Sequence, residues 1–428
     1  MAWPLSLWAE TAEAAEPPSR LKGDQHADVA IIGGGYTGLS AAHSFAGKGL
    51  KPVVLEANEI GWGASGRNGG VVSSKFRLPI PAIAKAHGLD TARRMADLGH
   101  EAVDKVADLV GEYGIGSAGF SLTGNLRCAH NAVSLKSLAG EAETMRSVFG
   151  DRSIRILGAD EVAEETGSKG FVGGALSEHA GVIHPLNFVR GMAAGLRRRG
   201  VDIFEHSAAL RIRPEGDAVL VETATGTLRA RRLVLATNAY SSLTEATSAV
   251  SRTLIPFRSA MIATEHLGPV LDDAVMRAGR SYTETRRMMR WFRKVEGRML
   301  FGGRGAFGKS DSGAAFDALY RAMIGLFPQL EGKSVTHRWS GLVGMTLDAV
   351  PHVGRLDDRT VYALGYNGSG VAAACLMGQY VADLALGGKP DLALLSSDRV
   401  KTIPFYALRE PAVRLVAGWY QFLDRIGR

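Results

Sequence analysis

The stretch Asp28-Val29-Ala30-Ile31-Ile32-Gly33-Gly34-Gly35-Tyr36-Thr37-Gly38 is followed 18 positions later by Glu56. Asp28 to Ile32 is apolar and strand-like, Leu39 to Gly47 reads as a helix that Gly49 ends, and Pro52 to Leu55 is a second strand. A strand, a Gly33-x-Gly35-x-x-Gly38 turn, a helix and a second strand closing on an acid are the signature of a dinucleotide-binding βαβ unit. Gly33 permits the tight turn, Gly35 lets a pyrophosphate approach the backbone, and Gly38 lets the helix pack on the strand. Thr37 belongs to the first helical turn, whose unpaired N–H groups attract phosphate. Glu56, with Ala57 beside it, is suited to the hydroxyls of an adenosine ribose, and its charge disfavours the extra phosphate of NADP.

That unit serves NAD and FAD alike. The segment that separates them is Gly61-Trp62-Gly63-Ala64-Ser65-Gly66-Arg67-Asn68-Gly69-Gly70, which begins five residues after the acid. An NAD dehydrogenase has no evident need of a second glycine-rich loop there. FAD, running extended through its domain, needs small residues where main-chain N–H groups meet the pyrophosphate and the flavin ring. Ser65 and Arg67 are expected to meet phosphate oxygens, and Asn68, Gly69 and Gly70 to lie beside the ring. The expected cofactor is FAD.

Composition agrees with a large cofactor enzyme. The chain has 428 residues, 46% hydrophobic and 22% charged, with 53 glycines. That length gives two or three globular units and excludes disorder, collagen-like repeats and a disulfide-stapled miniature fold. The net charge of +7 is scattered, and no basic run exceeds Arg197-Arg198-Arg199, so nucleic-acid binding is not indicated. Cys128 and Cys375 lack metal-ligand spacing and read as free thiols in a reducing compartment. No secretory signal or long apolar run occurs, which predicts a cytoplasmic protein without a membrane span. Val413, Val416, Tyr420 and Leu423 fall at helical spacing in the tail. They predict a helix docked on the body or on a subunit neighbour, with membrane-surface contact as the alternative.

Further along, 91–113, Ala132 to Phe149 and Pro185 to Arg199 read as helices. Phe120 to Arg127, Asp202–Phe204, Val219–Thr223, Leu233–Ala236, Met288–Phe292 and Met299–Gly302 read as strands. Val361–Leu364 leads through Gly365-Tyr366-Asn367-Gly368-Ser369-Gly370 into a helix ending near Leu386. The pattern predicts an α/β protein, with a Rossmann-like cofactor domain interleaved with an α+β substrate domain on a mostly antiparallel sheet.

These motifs resemble the D-amino-acid oxidase/glycine oxidase superfamily of FAD enzymes, and within it the γ-glutamylputrescine oxidase branch. The resemblance rests on Ile32–Leu39, Gly63–Gly70, His184-Pro185-Leu186-Asn187, Ala236-Thr237-Asn238-Ala239-Tyr240, Gly354–Asp357 and Gly365–Val371. It implies an N-terminal arm over 1–26 and a FAD domain from 27–80, 157–245 and 333–390. The substrate domain would comprise 81–156 and 246–332, and a tail helix 391–428. It implies that Ala209, in a strand after His206, meets adenine through its backbone and that Thr237 and Asn238 close over the cofactor. Gly341, Asn367, Gly368, Ser369, Gly370 and Val371 would line the flavin ring and ribityl chain. Arg67 and Gly341 stand where relatives with covalent FAD carry histidine or cysteine, so non-covalent FAD is expected. Leu300 stands where sarcosine-oxidase relatives carry an oxygen-activating lysine.

The activity implied is oxidation of an amine or amino acid by hydride transfer, with O2 as acceptor. The alternatives are a dehydrogenase serving a quinone or protein acceptor and a flavin-binding subunit without turnover. Over Tyr282–Arg293, strand alternation sends Arg286, Met288, Arg290 and Phe292 to one face and Arg287, Met289, Trp291 and Arg293 to the other. Arg286 or Arg290 is a candidate clamp for a substrate carboxylate. Trp291, Trp339 and Tyr366 are further candidates for the substrate pocket, with core packing as the other reading of the tryptophans.

Overall fold

Val29, Ala30, Ile31 and Ile32 are all buried, as a central strand covered on both faces requires. In the computed structural model, which describes residues 3–306, 313–397 and 402–425, they end the ten-residue strand Gly23–Ile32. Residues 1–2, 307–312, 398–401 and 426–428 of the expected arm, substrate domain and tail lie outside the described residues.

Gly23–Ile32 pairs in parallel with Gly226–Leu235 on one side and Pro52–Leu55 on the other. Asp202–Phe204 and Thr360–Leu364 extend this parallel core, and His352–Arg355 and Ser396–Ser397 continue one edge of a nine-stranded sheet. Two helices cover one face. Tyr36–Gly47 packs against Gly370–Ala385, which is apolar nearly all round and buried accordingly. A Cβ on Gly378 would lie 2.5 Å from the Thr37 carbonyl oxygen, so glycine permits this close crossing.

A second sheet of eight strands runs in the order Val335–Met345, Ile255–His266, Arg298–Ala306, Arg290–Val295, Ser281–Glu284, Asn125–Cys128, Gly174–Ser177, Ile154–Leu157. Every pairing is antiparallel except that between Ser281–Glu284 and Asn125–Cys128. Its outer face carries an aromatic core. Phe292 stacks on Tyr282 and Phe301 at 5.6 and 5.8 Å between ring centroids, backed by Phe327. The expected α/β architecture with a mostly antiparallel second sheet is present.

Sheet membership does not follow the expected spans throughout. Gly174–Ser177 and Val335–Met345, expected in the FAD domain, belong to the second sheet, and Ser396–Ser397 of the expected tail joins the first. The amino-terminal segment, expected as an arm, carries a docked helix. Leu7–Thr11 is a helix capped by Ser6, with Leu7 and Trp8 fully buried. Trp8 Nε1 donates to the Asn68 carbonyl at 2.8 Å, and its ring meets His184 edge-on at 4.9 Å. Arg409–Arg425 forms the tail helix, held by Asp424, which accepts from the backbone N–H groups of Arg287 and Met288 at 3.2 Å. Among the described residues, no helix is long and apolar enough to cross a membrane, and no cluster of metal-ligating side chains occurs.

Candidate active site

Two cavities meet between the sheets. The narrower, about 200 Å3, lies along the carboxyl ends of the parallel strands and is walled by the Gly33–Thr37 turn, Glu56, Ala57, Ala209, Thr237, Asn238, Tyr366 and Gly370. The wider, about 530 Å3, runs across the inner face of the second sheet. Ala64, Asn68, Leu342, Val343, Gly368 and Val371 border both, so the two spaces adjoin.

The narrow cavity is shaped at its tight points by backbone. A Cβ on Gly38 would stand 1.9 Å from the Gly33 carbonyl oxygen, which is why the helix starts tight against the strand. Ser65 Oγ accepts from Tyr36 N–H at 3.1 Å, joining the second glycine loop to the amino end of that helix. Glu56 accepts from Gly34 N–H at 2.8 Å through one oxygen and from Asn58 N–H at 2.9 Å through the other. Burial pushes its carboxyl above the usual range, and those two N–H groups pull it back. Ala209 borders the cavity from a loop between Asp202–Phe204 and Arg211–Glu215; the strand expected after His206 is absent there.

Side chains of the C-terminal loop tie the loop itself. Asn367, at φ 55°, accepts from Thr346 N–H at 2.9 Å and donates to the Gly365 carbonyl. Asn238 accepts from Gly365 N–H at 2.9 Å. Ser369 precedes the helix Gly370–Ala385 without a side-chain cap, leaving its first N–H groups open where the cavities meet.

The wide cavity is built differently. Cross-strand register places Met261, Gly302, Trp291, Thr283 and Arg127 in one row across the sheet. Trp291 lies over Gly302, and a Cβ on Gly69 would come within 3.0 Å of its ring. Ser73, Lys75, Phe76 and Arg77 wall the opposite side, with Glu141 and Asp151 at the far end.

Several expected roles change. Arg67 does not border the narrow cavity. Its Nε donates to the Trp62 carbonyl at 2.6 Å and its side chain packs against Gly341, so it faces the wide cavity and not the pyrophosphate side. Gly70, at φ +66°, packs on the Ile183 carbonyl and Arg293 and borders neither cavity. Arg290 turns away from the cavity: its stem lies on the side of Gly303 and Leu319, and its Nε is 3.5 Å from buried Glu284. Arg286 borders the cavity from a bend and not a strand, because the regular strand begins only at Arg290; its Nη1 pairs with Glu284. Trp339 is fully buried core, donating to the Arg67 carbonyl at 3.0 Å. Tyr366 belongs to the narrow cavity, its hydroxyl 2.6 Å from Thr37 Oγ1.

Arg293 was legible only as one residue of an alternating face. It is buried, donates to the Gly70 and Ile183 carbonyls at 2.9 and 3.0 Å, and lies over the Trp8 ring. Burial pulls its guanidinium down to about 10. Lys75 and Arg77 were missed; two cations directly after the second glycine loop were the available signal.

A glycine-turn parallel sheet joined to a substrate-roofing antiparallel sheet, with adjoining narrow and wide cavities, defines a two-sheet flavoprotein oxidoreductase. A family model described as DAO, FAD dependent oxidoreductase, matches residues 28–384. The chain belongs to this family. It is 31% identical to gamma-glutamylputrescine oxidoreductase of Escherichia coli, over 99% of this chain and 98% of that one. It is also 31% identical to the probable oxidoreductase OrdL of Haemophilus influenzae, over 94% and 93%. Glycine oxidase from Geobacillus kaustophilus shares the fold with a TM-score of 0.73 at 20% identity, covering 88% of this chain and 99% of that one. The expected superfamily, enzyme class and dependence on FAD are thereby established. The residues fit that cofactor: the glycine turn Gly33–Gly35 suits its pyrophosphate, Glu56 its ribose, and the open amides at Gly370 its flavin end.

Proposed function

We propose that this chain oxidises the C–N bond of an elongated amine, of the polyamine, γ-glutamyl-amine or modified amino-acid kind, with O2 as electron acceptor. FAD, when bound, supplies a two-electron acceptor for hydride from the carbon bearing a neutral amine, and the imine so formed hydrolyses. The protein's part is to hold the cofactor, align the amine and exclude water. Trp291, Met261 and Phe257 supply apolar wall, and Asn367 locks the loop where the cavities adjoin. Gly341, Gly368, Ser369 and Val371 would hold the ring; Gly33, Gly35, Gly38 and Glu56 the adenosine and phosphates.

The observation that carries this reading is the length of the wide cavity, which runs along a row of five strands from Met261 to Arg127. A small amino acid would fill only part of that space. The name of the Escherichia coli relative supports a long amine. A second reading, a dehydrogenase on similar substrates, is favoured by Leu300, a fully buried leucine with no charge to offer oxygen. An anaerobic panel of polyamines, γ-glutamyl amines, N-methyl and D-amino acids, read by loss of flavin absorbance, tests the substrate class. Bleaching by the long amines supports the proposal, and bleaching by short amino acids alone overturns it. Stoichiometric peroxide under air identifies the oxidase, and its absence during turnover with a quinone identifies the dehydrogenase.

A further inference from the structure

The far end of the wide cavity holds a charged cluster that hydride transfer does not use. Arg127 stands two strand spacings beyond Trp291 in the registered row, a separation of about 10 Å. There Arg127 Nη1 lies 3.4 Å from Glu141, and Asp151 accepts from Ser153 N–H at 2.8 Å and lies 3.8 Å from His100. Each of these groups has a protein partner. Lys75 does not: among the described residues its half-buried ammonium has neither a hydrogen bond nor an ion pair within 4.0 Å. Two residues along, Arg77 Nη1 is buried and also unpartnered. Desolvation draws the Lys75 ammonium below its ordinary range, while Glu141 and Asp151 favour its charge and Arg127 opposes it.

A partly desolvated ammonium with carboxylates nearby but no hydrogen bond or ion pair of its own has its direct contact open to an arriving anion. We infer that Lys75, seconded by Arg77, is the anchor for a substrate carboxylate at the Arg127 end of the cavity, which lies about 10 Å along the registered row from Trp291, roughly the reach of three extended residues. The inference rests on the amine-oxidising reading above and makes its substrate class specific: a long amine with its reacting nitrogen at one end and a carboxylate at the other. Lys75 selects substrate without touching the bond that breaks.

The test uses the FAD-loaded enzyme and two ligands that cannot be oxidised at an amine because they have none: the monobutylamide of glutaric acid, and N-butylpentanamide, which lacks only the carboxylate. Calorimetry on the wild type is expected to favour the acid by about 10- to 100-fold, as for hydrogen bonds to a charged group. Lys75→Met should abolish the preference while retaining FAD, and Lys75→Arg should keep most of it. With γ-glutamylputrescine, Lys75→Met should raise KM by the same factor and leave kcat nearly unchanged. A preference for the acid that survives Lys75→Met overturns the subsite, as does equal wild-type binding of the two ligands. If amines bleach the flavin while acid binding ignores Lys75, the subsite falls and the oxidase reading stands. If no amine bleaches it while acid binding needs Lys75, the oxidase reading falls and the anion site stands.

Discussion

The two cavities are made by opposite means. The narrow one is a product of main chain: turns, helix starts and glycines, with side chains such as Asn367 and Asn238 spent on tying loops. The wide one is a product of side chains drawn from strands and helices that are far apart in sequence. Backbone geometry tolerates almost no added atom at its tight points. A side-chain wall tolerates exchange wherever the residue faces elsewhere.

The strongest way to break this contrast is Gly38→Val. Its Cβ has only 1.9 Å to the Gly33 carbonyl oxygen, a backbone atom that cannot step aside. The expected cost is about 3 kcal/mol or more, seen as a lowered Tm and colourless protein. A yellow variant with unchanged Tm would refute the backbone account.

His184 tests the joint between the amino-terminal helix and the cavities. Asn187 N–H donates to its Nδ1 at 3.1 Å, so Nε2 carries the proton and donates to Thr11 Oγ1 at 3.0 Å. Burial pulls the imidazole down to about 4 from an ordinary 6.5. Between those values the unfolded chain binds the extra proton, so stability falls as pH drops through the window, by up to about 3 kcal/mol. Denaturant midpoints at pH 7 and pH 4 measure this. An equal pH slope in His184→Gln would assign the loss to other groups.

Glu56→Ala is expected to weaken FAD by about 2 kcal/mol, roughly 30-fold, through unpaired ribose hydroxyls and the loss of its bonds to Gly34 and Asn58. Flavin fluorescence on dilution reads the affinity, and unchanged retention would remove Glu56 from the cradle. Smallest is Arg290→Lys. This arginine faces Leu319 and Glu284 and not the cavity, so kcat/KM should move by about twofold at most, within ~0.5 kcal/mol. A large rise in KM would restore Arg290 as a substrate clamp.

The same contrast explains what sequence alone revealed. Residues 28–56 were legible almost to the residue because a strand, a turn and a helix start are local events with their own spacing. The wide cavity was not, because its row of side chains exists only once the sheet is assembled. Alternation was read through Arg286, yet regular strand begins at Arg290, and the bend before it undoes the parity. Trp339 and Trp291 were indistinguishable as letters; burial makes one a core residue and the other a wall. The Trp8 contact linked positions 60 apart, and no local pattern announces that.

That contact has a practical consequence. Trp8 and Arg293 together hold the loop at Asn68–Gly70, yet the connector over residues 13–20 is exposed along its whole length. A single protease cut there would untether the small helix and slacken a loop whose Asn68 borders both cavities. Clipped material should therefore shed its yellow colour during storage before the rest of the molecule loosens.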